Sequence, residues 1–195
     1  QKVMVSHGPK AYWNSFLNSD RPEHKPTSAM LLGTLTHCAV LEPDELTKRF
    51  VAVSSRTTKK GKEEAKEAEE KGLTAVTESD MANAIKMRDA VFAEPHAKKL
   101  LSFGIAEKSY WWEDTTSGLT CKCRPDWLNK ETIVDLKTSR TGANPRDFAK
   151  AVANFKYHLQ AAHYLSGIPS AKRFIFLVVQ SEYPFDVGLW ELDDD

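Results

Sequence analysis

Hydrophobic and polar residues alternate in the middle of the chain in a way that predicts three short β-strands, at 109–112, 119–123 and 132–136. These runs are rich in aromatic and β-branched residues, which favour extended backbone. Turn-forming residues separate them, at 115–118 and again at 129–132. Because both turns are short, the pattern predicts an antiparallel meander.

Periodic apolar positions predict helices on both sides of this meander. Before it, helices are expected at 9–17, at 29–41 with Ser28 as the N-cap, at 78–93 and at 96–103, with a short strand at 50–54. After it, one long helix is expected from 145 to 166, followed by a buried strand at 174–179 and its hairpin partner at 187–192. The elements together predict an α/β fold, and the length of 195 residues predicts a single domain spanning 1–195.

Composition narrows the function classes. The 27 basic and 27 acidic residues give a net charge of zero, so any binding of nucleic acid must depend on local clusters of cations. The three cysteines, Cys38, Cys121 and Cys123, are too few for a disulfide framework and indicate buried, inert thiols in a reducing compartment. No apolar run reaches the roughly 18 residues of a membrane span, so we expect a soluble, cytoplasmic protein with no membrane contact.

Turn geometry sets the register of the meander and brings acidic residues together. Gly118 suits the last position of a type I turn that begins at Thr115, and pairing of these two residues places Glu107 opposite Asp126. A second turn centred between residues 130 and 131 places Asp126 opposite Asp135. Directly opposed side chains have Cβ atoms about 5 Å apart, so the register predicts three carboxylates on one face of the sheet.

Lys137 lies two residues after Asp135 and therefore points to the same face. Three crowded carboxylates repel one another unless a cation lies among them, and an all-oxygen ligand set favours Mg²⁺ or Mn²⁺. The alternative is a solvated strand face that carries ordinary surface charge.

Two short motifs at these positions resemble a known signature. Arg124-Pro-Asp126, a hairpin and Asp135-Leu-Lys137 resemble the PD-(D/E)XK nuclease motif. The segment from Gly33 to Pro43, with His37 at its centre, resembles the histidine motif of RecB-like nucleases. Gln160-Ala-Ala-His-Tyr164 resembles their Q-x-x-x-Y helix motif, in which the two residues share a helix face.

The order and spacing of these motifs agree with the RecB-like pattern over about 130 residues. The sequence around the core motif is most similar to that of the RecE-like (exonuclease VIII) nuclease domains. This resemblance implies a restriction-endonuclease-like fold, with a central mixed β-sheet containing an antiparallel meander and flanked by helices. It also implies that the sequence is a fragment of a longer chain, because the resembled family continues into a further C-terminal helix.

The register and the resemblance together give each candidate residue an expected role. The expected metal ligands are His37, Asp126, Asp135 and the backbone carbonyl of Leu136; the expected catalytic residues are Glu107, Asp126, Asp135 and Lys137; the expected substrate-binding residues are Arg124, Gln160 and Tyr164. Without the resemblance, the preferred interpretation of His37 is a core histidine, and Gln160 and Tyr164 are interpreted as a surface amide and a packing residue.

The resemblance implies a Mg²⁺- or Mn²⁺-dependent exonuclease that degrades linear double-stranded DNA from its ends, in the 5′ to 3′ direction. It further implies a homo-oligomeric toroid, a tetramer in the resembled family, and a single-strand annealing protein as recombination partner in a phage or prophage system. Two alternatives to this exonuclease stay open at this stage. The first is an endonuclease or resolvase on the same fold, and the second is a non-catalytic DNA-binding or recruitment module.

Overall fold

The computed structural model describes residues 2–22 and 26–192, with side chains from residue 7 onward. The helices are α1 (Lys2–Tyr12), α2 (Ser28–Leu41), α3 (Leu46–Arg49), α4 (Lys59–Glu70), α5 (Glu78–Ala93), α6 (Pro95–Leu100), α7 (Pro145–Phe155) and α8 (Tyr157–Gly167). The strands are β1 (Phe50–Val53), β2 (Thr74–Thr77), β3 (Ile105–Ala106), β4 (Tyr110–Glu113), β5 (Thr120–Cys123), β6 (Trp127–Asn129), β7 (Thr132–Ser139), β8 (Arg173–Gln180) and β9 (Val187–Glu191). A π-helical turn, Trp13–Leu17, continues α1, and a 3-10 turn, Pro43–Glu45, joins α2 to α3.

A five-stranded mixed sheet in the order β3-β6-β7-β8-β9 forms the centre of the fold. Strands β7 and β8 are parallel, whereas the other neighbouring pairs are antiparallel. A parallel pair needs a long crossover, and helices α7 and α8 supply it. The predicted α/β fold with a central mixed sheet and flanking helices is therefore confirmed.

Strand β8 is buried on both faces, which explains its nearly continuous apolar sequence, and residues 133–136 of β7 are buried beside it. On one face, Ile133, Phe174, Phe176 and Val178 pack against Phe148 of α7 and Ala161 of α8. On the opposite face, the alternate residues Val134, Leu136, Leu177 and Val179 pack against α2, α5 and α6, which contribute Val40, Met87, Val91 and Ala97. The polar residues of β7 that share a face with Ile133 consequently point toward α7 and α8.

The predicted register of the meander is correct at both turns. In the first hairpin Glu113 pairs with Thr120, and Ala106 pairs with Trp127 further along in the same register. The Glu107 N–H donates to the Asp126 carbonyl at 3.1 Å, as expected if these two residues are opposite each other.

The second turn also has the predicted register, because Asn129 pairs with Thr132 and Trp127 with Val134. That pairing aligns Asp126 with Asp135.

The meander is not one continuous sheet, however. Strands β4 and β5 form a separate two-stranded hairpin, while β6 and β7 belong to the central sheet. The hydrogen-bond ladder is interrupted where Glu107 adopts a left-handed backbone conformation, with φ of 52°, opposite a segment that contains Pro125. Proline has no N–H to donate to a ladder, and a positive φ turns the chain out of the strand. The interruption lies beside the acidic residues.

The long helix predicted at 145–166 is wrong, since the structure has two helices, α7 and α8. Lys156 adopts a left-handed conformation, with φ of 56° and ψ of 43°, and ends α7. The apolar stripe of the predicted helix continues on both sides of Lys156, so periodicity alone does not reveal the break.

Smaller differences concern helix starts and the second sheet. The N-cap of α2 is Thr27, whose hydroxyl accepts from the Met30 N–H, so the predicted cap at Ser28 is off by one residue. The segment assigned to α1 is kinked at Gly8, which has a non-helical φ of 83°, so the helix expected at 9–17 begins at Pro9 as predicted and ends as a π-helical turn. Strand β2 was not predicted, and it pairs in parallel with β1 in a separate two-stranded sheet.

All three cysteines are free, and Cys38 and Cys123 are buried. Burial raises the pKa of both buried thiols, which disfavours their thiolate forms and agrees with the expected inert role. Among the described residues, no helix has the length and apolar character needed to cross a membrane.

Phe176 and Phe103 offer a matched test of the core. Phe176 is 0% exposed and Phe103 is 76% exposed. We expect Phe176→Ala to lower the free energy of unfolding by about 3–5 kcal/mol, because it leaves a cavity among rings on the α7 and α8 face. Phe103→Ala should change it by less than about 0.5 kcal/mol. Urea denaturation followed by circular dichroism measures both, and equal effects would contradict the assigned core.

Candidate active site

A cleft of about 870 Å³ opens between α2, the end of α3, α8 and the interrupted part of the meander. Its ionisable lining residues are His37, Glu42, Arg49, Glu107, Arg124 and Asp126. Tyr164 of α8 lines the same cleft. The structure therefore brings residues from all three sequence motifs to one place, although they are up to 127 positions apart in the chain.

His37, Glu107 and Asp126 form a compact cluster in this cleft. Each residue presents one ligand atom, and these three atoms lie within 4.8 Å of one another. His37 Nδ1 is 3.5 Å from Asp126 Oδ2. His37 comes from α2, Glu107 follows β3 and Asp126 precedes β6, so the interrupted ladder positions both carboxylates. One imidazole and two carboxylates form a donor set suited to a divalent metal ion.

The electrostatics of the cluster favour a bound cation. Burial raises the pKa of Asp126 well above its usual range, and the nearby Asp135 carboxylate raises it further. Two groups lower the pKa of Asp126 but offset only part of this rise. They are Lys137 and the Leu136 N–H, which donates to Asp126 Oδ2 at 2.8 Å. Burial also raises the pKa of Glu107, against the opposing effect of Arg124. A metal ion would relieve the cost of keeping both carboxylates ionised.

His37 has the position and the protonation state that a metal ligand requires. Burial lowers its pKa, with Lys137 acting in the same direction, so the imidazole is neutral near pH 7. Its side chain is 27% exposed and faces the cleft, which does not fit the alternative of an enclosed core histidine. The Leu136 backbone lies within hydrogen-bonding reach of His37.

Asp135 takes a different position from the one expected for a third member of this cluster. It is 0% exposed; its Oδ1 accepts from Gln160 Nε2 at 2.7 Å, and its Oδ2 forms an ion pair with Lys137 Nζ. Because these two donors occupy the carboxylate, Asp135 is not among the three clustered residues. It remains close enough to Asp126 to affect its pKa.

Lys137 is enclosed between Asp135 and an aromatic ring. Its Nζ lies 4.9 Å from the ring centroid of Tyr157, a distance that permits a cation–π interaction. Burial alone would lower the pKa of Lys137, but Asp135 and Asp126 raise it overall, so the ammonium stays charged. Sequence reasoning missed Tyr157 because it assumed a continuous helix through the break at Lys156.

The expected substrate-binding residues have distinct contacts. Gln160 binds Asp135 instead of reaching the lysine, so it is not a surface amide. Tyr164 hydrogen-bonds Gln160 and contacts the edge of Phe174 at 5.9 Å between centroids, so it both packs and lines the cleft. Arg124 Nε lies 2.8 Å from Glu107 Oε2, and its side chain is 63% exposed.

Glu42 and Arg49 also line the cleft and were not predicted. Arg49 Nη1 lies 3.0 Å from Glu42 Oε2, and both side chains are partly exposed. Glu42 lies within the histidine-motif segment from Gly33 to Pro43 but had no predicted role, and Arg49 lies outside every motif. The turn that joins α2 to α3 brings Arg49 to the site.

Comparison with protein families gives one match to almost the whole chain. A family model described as "PDDEXK-like domain of unknown function (DUF3799)" matches residues 7–195. This match confirms the predicted PD-(D/E)XK fold class. A comparison with curated proteins gave no match.

One solved structure shows the same fold. A crystal structure of a "putative exonuclease" from Eubacterium rectale superposes with a TM-score of 0.60 at 18% identity, over 89% of this chain and 62% of that protein. The chain therefore spans less than two thirds of that protein. A second structure, of the protein SSO0001, has 15% identity and a TM-score of 0.36, over 82% of this chain and 76% of that one. That TM-score is too low to support an argument.

The raised pKa of Asp126 predicts that metal binding releases protons. Its carboxyl group therefore retains a proton at pH values where an ordinary aspartate is ionised, and Mn²⁺ must displace that proton to bind. We expect the calorimetric enthalpy of Mn²⁺ binding to depend on the ionisation enthalpy of the buffer, with a slope that indicates proton release. Asp126→Asn should weaken binding and reduce that slope, whereas Glu113→Gln, a change at an exposed hairpin carboxylate, should alter neither. Mn²⁺ binding without buffer dependence would contradict this assignment.

Proposed function

We propose that this protein, which belongs to the PDDEXK-like family that matches residues 7–195, is a metal-dependent nuclease that hydrolyses phosphodiester bonds in DNA. The observation that carries the proposal is the proximity of two groups of ionisable residues. The cluster of His37, Glu107 and Asp126 suits a divalent ion, and the ion pair of the fully buried Asp135 and the largely buried Lys137 lies close enough to affect the pKa of Asp126. A module that only binds DNA has no need of a buried lysine held next to a metal-binding cluster.

The donor set fits the metal ion that such nucleases use. His37, Glu107 and Asp126 would hold it, with Asp135 and the Leu136 carbonyl as neighbouring candidate ligands. When bound, the ion supplies Lewis-acid polarisation of the scissile phosphate and lowers the pKa of a coordinated water. An imidazole ligand suits Mn²⁺ better than Mg²⁺, so we propose that either ion supports activity and that His37 tunes the preference.

The chain's own residues hold and compensate charge during hydrolysis. Lys137, kept charged by Asp135, orients the attacking water and stabilises negative charge that develops on the phosphate. Gln160 fixes Asp135 through the 2.7 Å hydrogen bond and thereby fixes the lysine. Arg124, exposed at the rim of the cleft, is available to bind the DNA backbone.

The finer assignment is a RecE-like exonuclease. We propose that it degrades linear double-stranded DNA from its ends, 5′ to 3′, as a homo-oligomeric toroid that supplies single strands to an annealing protein. The support is the agreement of the core motifs with RecE-like domains and the fold shared with the Eubacterium rectale protein described as a "putative exonuclease".

Digestion of labelled DNA tests this proposal. A linear duplex labelled at one 5′ end and internally on the other strand is incubated with Mg²⁺, Mn²⁺ or EDTA, beside a covalently closed circle. We expect metal-dependent release of 5′-terminal nucleotides, with the circle left intact. Cleavage of the circle would instead identify an endonuclease, and no cleavage with either metal would favour the non-catalytic binding module.

Lys137→Ala tests the role of the lysine in the same assay. It removes the ammonium but leaves His37, Glu107 and Asp126 in place, so the variant should still bind DNA in Ca²⁺. Cleavage in Mg²⁺ should fall by roughly a hundredfold or more, the scale for loss of one charge-stabilising group. Unchanged turnover would remove the lysine from the mechanism.

Tyr157 gives a separate test of how the lysine is positioned. Tyr157→Phe keeps the ring over Lys137 and should retain turnover. Tyr157→Leu loses the cation–π contact and should lower kcat roughly tenfold with little change in KM, as expected for a contact of about 1–2 kcal/mol. Thermal melts establish that both variants are folded. If the Phe variant were as slow as the Leu variant, the hydroxyl group would be the important feature of Tyr157.

A further inference from the structure

Two adjacent tryptophans of the β4–β5 hairpin have opposite environments. Trp112 faces α8, where its ring lies 4.8 Å from the His163 ring between centroids. A Cβ built on Gly167 would lie only 2.3 Å from the Trp112 ring, so the hairpin packs directly on the helix. Trp111 faces the other way and is 65% exposed. The inner face holds the hairpin in place and leaves the Trp111 indole in solvent.

The outer face combines this exposed ring with cations. Lys122 lies directly opposite Trp111 in the hairpin register, so their Cβ atoms are about 5 Å apart. Arg124 is the first residue after β5, and its side chain reaches Glu107 at the adjoining cleft. Both basic side chains are exposed. The carboxylate of Glu113 lies beyond Trp111, at the end of β4 that is distant from the cleft.

This outer face, defined by Trp111, Lys122 and Arg124, is continuous with the candidate active site. Arg124 Nε contacts Glu107 Oε2 at 2.8 Å, and Glu107 belongs to the metal-binding cluster. Trp111 is four positions after Glu107 in the sequence, which corresponds to at most about 13 Å of extended chain. DNA advances at least about 3.4 Å per nucleotide, so the ring lies a few nucleotides from the cluster.

We propose that the outer face binds an unpaired stretch of the DNA substrate next to the scissile bond. A base stacks on the Trp111 indole while Lys122 and Arg124 contact the flanking phosphates. The inference rests on the proposed nuclease function and adds a substrate feature to it, a single-stranded segment beside the duplex.

Charge and aromatic character together favour this ligand over others. Sequence-independent binding of single strands uses aromatic platforms for the bases and cations for the backbone, and the outer face has both. Trp111 presents a large, rigid aromatic ring in solvent beside two cations, which is the combination that base stacking and phosphate contacts require. The competing occupant is a second copy of this chain, and the experiment distinguishes the two.

Binding is measured by fluorescence anisotropy in Ca²⁺, with a labelled duplex that carries a thymidine tail of about ten nucleotides, within the usual site size for single strands. A blunt duplex of the same sequence is the comparison. We expect Trp111→Ala to weaken binding of the tailed duplex roughly tenfold and to leave the blunt duplex within about twofold, because only an unpaired base can stack on the ring. Trp111→Phe should recover most of the lost affinity.

Two further variants separate stacking from charge and from general surface effects. Leu119→Ala removes an apolar side chain that is also 65% exposed on the same hairpin, and it should leave binding unchanged. Lys122→Ala should weaken the tailed duplex and reduce the slope of log affinity against log salt concentration by about one, as expected for one lost phosphate contact.

The possible failures are distinguishable. If the wild-type protein neither binds nor cleaves DNA, the proposed function itself is wrong. If the wild type binds and cleaves but Trp111→Ala matches it on the tailed duplex, the inference about the outer face is overturned. Equal losses on both duplexes would also overturn it. A lower molar mass of Trp111→Ala in sedimentation, with unchanged DNA binding, would instead identify the outer face as a contact between copies of the chain.

Discussion

The buried carboxylate of Asp135 is the constraint on which the rest of the site depends. A fully buried charge is tolerated only when it is paired and hydrogen-bonded, and Asp135 has both Lys137 on its own strand and Gln160 on α8. These contacts join β7 to α8 at the point where an otherwise apolar strand carries polar residues into the core. They also keep a charged lysine beside the metal-binding cluster, where its own burial would otherwise favour the neutral amine.

Two local breaks in regular structure position the other groups. The ladder between the central sheet and the β4–β5 hairpin is interrupted at Glu107 and Pro125, and this interruption directs Glu107 and Asp126 toward His37. The second break, at Lys156, ends α7 and sets the first turn of α8 so that Tyr157 meets Lys137. In both places backbone regularity is lost next to residues that the proposed chemistry uses, a common feature of functional sites.

The hairpin links the fold to the proposed substrate. Its inner face is part of the core through Cys123 and Trp112, so its position is fixed by packing on α8. Its outer face projects from the same interrupted segment that carries Glu107. One element therefore connects the apolar core, the metal-binding cluster and an exposed aromatic and basic surface, without an additional domain being needed for that contact.

The sequence by itself determined most of the elements and the register of the meander. Alternation, turn residues and the two-residue period of a strand were sufficient to place Glu107 opposite Asp126, Asp126 opposite Asp135, and Lys137 beside Asp135, because these relations are local along the chain. The sequence did not determine which carboxylates lie nearest to His37. That arrangement depended on Gln160 and Lys137 contacting Asp135, and on α2 bringing His37 to Asp126 from 89 residues away. Tertiary packing likewise decided the break at Lys156 and the contact of Tyr157 with Lys137, because an apolar stripe has the same period whether or not the helix is interrupted. It also decided that Trp111 is exposed and Trp112 is not, because a pair of tryptophans does not indicate which face a helix will cover.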